Sequence, residues 1–228
     1  MLLNSKKTGM AFTGLICLLV SQISHAVLVS PGSTVNLTGT TYAANPNLGG
    51  TIIRDQLIPF QITDNLGNVI LTGNVQDRVV RSTNTGDLIF APRLRDLSNP
   101  TSVAWIMRFQ MNGFNGYSTD IDYSTDGLGD VGPNDVTRDI TGDNLDFRYD
   151  PALIAPPDEG YFLSVFTDTT TFDLSGSFTI MAQNDFGASV FTTVLNNVSA
   201  PSAVPAPAAV WLFGSGLLAL LGMSRRKK

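Results

Sequence analysis

Thr101-Ser102-Val103-Ala104-Trp105-Ile106-Met107-Arg108-Phe109-Gln110 is the stretch whose reading decides the fold. Side chains of an extended chain alternate sides, so Val103, Trp105, Met107 and Phe109 predict one apolar face of a half-buried strand. That phase places Trp105 in a core. Working outward, the same pattern predicts strands over Thr34–Leu37, Thr51–Ile62, Asn68–Ser82, Leu88–Leu94, Ser102–Met111 and Ser118–Tyr123. It continues over Leu145–Tyr149, Gly160–Thr167, Thr171–Ala182 and Ser189–Leu195. In Tyr161–Phe166 both parities are apolar, which predicts burial on two sides. Turn formers separate the runs: Asn45-Pro46, Asn65-Leu66-Gly67-Asn68, Asn84-Thr85-Gly86-Asp87, Asn112-Gly113, Pro156-Pro157-Asp158-Glu159-Gly160 and Asn184-Asp185-Phe186-Gly187. Many short strands rich in Thr, Val, Ile and Phe argue for an all-β protein, a β-sandwich of Greek-key or jelly-roll type. A β-solenoid is the competing architecture, but no fixed-period repeat supports it.

Both ends of the chain differ from this middle. Lys6 and Lys7 precede an apolar stretch, Met10 to Val20, and then Ser24-His25-Ala26. Those three parts make a secretory signal peptide over residues 1–26, with cleavage after Ala26. At the other end an apolar run, residues 208–224, is followed by the basic stop Arg225, Arg226, Lys227 and Lys228. The 16 residues from Ala208 to Met223 would span roughly 24 Å as a helix, against about 30 Å of hydrocarbon. The expectation is a thin transmembrane helix, with Trp211 at the outer interface and the basic stop kept cytoplasmic. Residues 27–199 are then the exported domain. Residues 200–207 are a Pro/Ala-rich linker that stands the domain off the membrane.

Removing the ends sharpens the chemistry. Between Val27 and Ala200 there is no Cys, His or Lys. Eight arginines there face all 19 acidic residues of the chain, a net charge of −11. Such a surface repels nucleic acid. No Ser-His-Asp triad, cysteine nucleophile, ordinary zinc site, Schiff base or disulfide can be built from these residues. About 174 residues suffice for one domain with a proper core.

The tail Val204-Pro205-Ala206-Pro207-Ala208-Ala209-Val210-Trp211-Leu212-Phe213-Gly214-Ser215-Gly216-Leu217-Leu218, with Arg225-Arg226, resembles the PEP-CTERM protein-sorting signal of Gram-negative bacteria. Ala206 stands where the glutamate between the two prolines is usual, which resembles the variant subgroup with an apolar residue there. The sorting motif is Val204, Pro205, Ala206 and Pro207. The resemblance implies Sec export, inner-membrane retention by the C-terminal helix, and recognition by exosortase as partner. It further implies release to the cell surface or extracellular matrix of a polysaccharide-producing, biofilm- or floc-forming bacterium. The domain itself looks like other uncharacterised domains that carry this tail.

Candidate chemistry concentrates between Asp120 and Asp146. Asp122, Ser124, Asp126 and Gly127 fit positions 1, 3, 5 and 6 of a calcium loop, with Asp130 at position 9. Position 12 is Pro133, so an EF-hand is excluded. What remains is an oxygen-rich loop able to hold Ca²⁺ as the one candidate cofactor, with Asp120 or Asp135 assisting. The alternative is that these residues form Asx-turns and pair with Arg138 or Arg148. A carboxylate glycosidase needs only two acids at the right separation, and among 19 that signal is nearly empty. Tyr117 and Tyr123, beside polar residues, are expected to be exposed. The expectation is therefore a non-enzymatic surface or matrix protein with a structural or adhesive role beside exopolysaccharide. A lectin-like glycan-binding module, calcium-dependent or not, is the alternative.

Overall fold

A computed structural model describes residues 26–100, 104–184 and 189–203. The signal-peptide core, the sorting motif Val204–Pro207, the apolar run 208–224 and the basic stop lie outside the described residues. Thirteen strands follow one another among the described residues: β1 (Val27–Leu28), β2 (Thr34–Asn36), β3 (Gly50–Thr63), β4 (Val69–Ser82), β5 (Leu88–Phe90), β6 (Arg93–Ser98), β7 (Ala104–Asn112), β8 (Thr119–Tyr123), β9 (Asp135–Arg138), β10 (Asn144–Arg148), β11 (Leu163–Thr167), β12 (Phe172–Asn184) and β13 (Ser189–Pro201). Among these residues no helix is long and apolar enough to cross a membrane.

The strands form two antiparallel sheets. One has seven strands in the order β1-β8-β11-β5-β4-β3, with β6 also pairing β4. The other has six in the order β13-β12-β7-β10-β9-β2. Between them lies one apolar core that includes Phe90, Phe109, Phe114, Phe147, Phe178 and Ile180, all essentially without solvent contact. The longest hairpin, β3–β4, turns at residues 64–68. There the Asp64 carboxylate accepts the N–H groups of Leu66 and Asn68 at 2.8 Å, and Gly67 takes a φ of +84° that a side chain would strain.

The phase expected for the opening stretch changes inside β7. Ala104 and Ile106 face the core before Met107, and Phe109 and Met111 face it afterwards. Met107 is an extra residue in the ladder, because Met181 of β12 sits opposite Arg108 while the next residue, Ala182, sits opposite Ile106. One inserted residue flips every side chain beyond it. Trp105 is therefore half-buried on the outer face of the six-stranded sheet opposite Gln183, rather than in the core with Phe109.

Two polar clamps tie the sandwich. Asp77, 2% exposed, accepts from Arg54 (2.8 Å) and from both the N–H and hydroxyl of Ser199, joining β3 and β4 to β13. Arg138, also buried, donates to the carbonyls of Val29, Phe114, Tyr117 and Gly142 and to the Thr119 hydroxyl. It pairs with backbone rather than with an acid, and burial lowers its pKa. The spacer expected from Ala200 starts later: β13 continues to Pro201 and Ala200 is buried. Its methyl rests where a side chain on Gly113 would come within 2.7 Å, so Gly113 makes room for it.

Candidate functional site

Segment 37–49 links β2, in one sheet, to β3, at the far side of the other. It is pinned on the way. The Thr40 N–H donates to the Tyr123 carbonyl (2.9 Å) and the Thr40 carbonyl accepts from Thr125. Asn45 is 3% exposed, and its side-chain oxygen accepts the Asn47 N–H, capping the single turn Pro46–Leu48. The Asn47 side chain in turn accepts from Asn84 in the β4–β5 turn.

Between this strap and the outer face of the seven-stranded sheet lies a cleft of about 280 Å³. Its floor follows from cross-strand register, since Asp120, Phe166, Ile89 and Val80 lie opposite one another across β8, β11, β5 and β4. Ile89 and Val80 join Ala91, Phe162 and Phe166 in a small apolar cluster separate from the main core. Polar groups surround that floor: Asn45 and Asn47 from the strap, Ser82, Thr85 and Asp87 from the β4–β5 turn, and Asp120 and Thr167 from the strands. Ala26, the residue after which cleavage is expected, lines one side, so a processed chain would keep the floor and the other walls without it. No arginine or lysine among the described residues lines the cleft. Among the described residues the carboxylates of Asp87 and Asp120 have no hydrogen-bond or ion-pair partner, and burial raises the pKa of Asp120. Two residues along β8, Asp122 is 6% exposed and carries one carboxylate oxygen without a partner. Burial raises its pKa as well, opposed in part by hydrogen bonds from the Tyr123 N–H and Asn45.

Of the residues expected to form a calcium loop, Ser124 and Asp126 meet, and Asp122 and Asp130 are engaged elsewhere. Asp122 points under the strap. The Ser124 hydroxyl donates to one oxygen of Asp126 (2.9 Å), and the other accepts the Tyr42 N–H (2.9 Å). The Ser124 hydrogen bond holds the Asp126 pKa below its usual value. Asp130 accepts the Glu159 N–H. Asp135 lies in the other sheet, paired with Arg148. Gly127 is outside the left-handed region, so its turn does not require glycine. Among the described residues no three acidic, His or Cys side chains are grouped as a metal ion would need. The alternative reading describes Asp139, whose carboxylate accepts the N–H groups of Asp143 and Asn144, and Asp135, which pairs with Arg148; Arg138 takes no acid.

The aromatic expectations divide similarly. Tyr123 is buried rather than exposed and stacks on Tyr161 at 5.8 Å. Side chains on Gly39 or Gly132 would come within 2.3 Å of its ring, so these glycines let the backbone close over it. Tyr117 is half-buried. Among the described residues every arginine is engaged. Six make ion pairs, and Arg81 and Arg138 donate to carbonyls.

Asn45, Asp87 and Phe166 were not singled out by sequence. Asp120 was, but for calcium. A usable signal existed in Thr119-Asp120-Ile121-Asp122-Tyr123, where alternation around the core residue Ile121 puts both aspartates on the opposite face. Comparison of the chain with protein families, curated proteins and solved structures gives no match.

Proposed function

We propose that this chain is an exported, non-enzymatic surface or matrix protein whose cleft holds a neutral sugar unit of the surrounding polysaccharide. The observation that carries the reading is the lining of the cleft: one half-buried aromatic ring, two uncommitted carboxylates, amides and hydroxyls, and no cation. Carboxylates and amides accept and donate to sugar hydroxyls, and the Phe166 ring offers an apolar face to a pyranose ring. An anionic sugar would meet Asp87 and Asp120 without a counter-charge, so uronic acids and sulfated units are disfavoured. A volume of about 280 Å³ is at the small end of ligand sites, which suits one or two rings rather than a buried chain.

Delivery rests on the two ends. The signal peptide ending at Ala26, the transmembrane helix over 208–224 and the Val204–Pro207 motif support export, exosortase recognition and retention at the inner membrane before release. The sheet orders, in which neighbours come from distant parts of the chain, support Greek-key or jelly-roll connectivity.

The test is titration of the processed protein with neutral and uronic oligosaccharides. Neutral sugars should bind, and Asp120→Asn and Phe166→Ala should each weaken binding by about tenfold, the loss expected for one hydrogen-bonding or stacking group. Equal binding of uronic sugars, or binding indifferent to both substitutions, would refute the cleft as the site.

A further inference from the structure

The strands that end the sheets are protected in different ways. β1 and β2 are two and three residues long. β3 carries Arg54, Asp55 and Pro59, and β6 carries Arg93, Arg95 and Asp96. Charges, proline and shortness are the usual guards against strand-to-strand association. β13 has none of them over Ser189–Ala200, in a domain whose net charge is −11. Its second half is tucked in, with Val198, Ser199 and Ala200 buried. Its first half, 189–196, ends the six-stranded sheet and among the described residues pairs only with β12. There Phe191 faces the core, while Val190 and Val194 are 55% and 52% exposed with Thr192 between them.

We propose that β13 is a self-association edge, at which a second copy of this chain adds antiparallel to form one continuous twelve-stranded sheet. Two features select a second copy as the occupant. The exposed row Val190, Thr192, Val194 reads the same in both directions. A two-fold axis at Thr192 therefore sets each Val190 against Val194 of the other copy and Thr192 against itself, the self-complementarity that an isologous contact needs. The second feature is electrostatic. Bodies this acidic repel wherever their carboxylates meet, and 189–196 is an edge that brings no charge to the contact. Main-chain hydrogen bonds along the edge supply the attraction. The inference goes beyond the saccharide reading and does not depend on it.

Thiol cross-linking tests it, because the chain's one cysteine, Cys17, is removed by Cys17→Ser. In that full-length background Thr192→Cys places two thiols face to face, within the Cα separation a disulfide tolerates. Mild oxidation should dimerise Thr192→Cys about tenfold more than Val190→Cys or Val194→Cys alone, because only the axial position meets itself at disulfide range. Mixing the latter two variants should restore the yield. Val194→Lys should return the chain to a monomer in sedimentation with an unchanged circular dichroism spectrum. A monomeric starting chain, equal cross-linking at all three positions, or a dimer that survives Val194→Lys would overturn the proposal.

Discussion

Over the outer face of the seven-stranded sheet lies a strap of chain, whereas among the described residues the outer face of the six-stranded sheet is finished by its own side chains. Beneath the strap and its neighbouring loops, Val80, Ile89 and Ala91 are buried although they point away from the core, and Arg93 is 4% exposed. The other face is satisfied mostly sideways, with one Asp146 oxygen left without a partner. Asn144 donates to Asn112 and Asn112 to Ser177, Thr34 meets Thr137, and Arg108 and Arg148 pair with Asp146 and Asp135. A face finished by cross-strand pairs needs no ligand. The covered face leaves carboxylates over, and that residue of unused polarity is why the cleft, rather than the flat face, is the candidate site.

The difference should be largest for the arginines. Arg93 pairs with Glu159 and lies 5.3 Å from the Phe162 ring centre, with two nitrogens that have no hydrogen-bond partner. Burial lowers its pKa, with Arg95 adding repulsion. Arg93→Ala should cost about 3 kcal/mol, since it opens a packed site and strips a partly buried Glu159 of its partner. Arg108 is 38% exposed beside Asp146, and Arg108→Ala should cost under about 1 kcal/mol. Urea denaturation of both variants measures the contrast. Equal losses would mean that the strap and loops do not set the energetics of the covered face. Next in size is the strap itself: Asn45→Ala loses the cap on Asn47 and a contact to Asp122, worth about 1–2 kcal/mol.

The legibility of the chain follows the same division. Strands with one dry face and a turn former at each end were readable: β3 and β4 were bounded to within two residues. β9 was missed because Asp-Val-Thr-Arg is short and sits in an acid-rich stretch, with only Val136 reaching the core. β5 and β6 were read as one run, since the break at Ala91-Pro92 costs no alternation. The bulge at Met107 was invisible, because an inserted residue leaves each half of β7 looking regular. The cleft was hidden for a different reason. Its walls come from residues near 26, 45, 85, 120 and 166, joined only by register and by a strap whose course no local pattern records.

The smallest effect separates the two faces by size. Asp122 and Asp146 both have a raised pKa, caused chiefly by burial, but Arg108 stands beside Asp146 and no cation stands beside Asp122. A carboxyl whose folded pKa exceeds its unfolded value binds its proton more tightly in the native state. Burying its charge therefore costs nothing below the ordinary carboxylate range. The cost grows as pH rises from there to the raised value, and is constant above it. Asp122→Asn should stabilise the protein by about 1 kcal/mol at neutral pH, the scale of one unsatisfied buried polar atom, and should do nothing near pH 3. Asp146→Asn should gain less at neutral pH, because Arg108 already offsets part of the burial cost and is left without its acid. Thermal melts of both variants across that pH range decide the matter. A loss of stability on Asp122→Asn would mean that its charge is compensated beneath the strap by the Tyr123 N–H and Asn45, and that its second oxygen is not a cost.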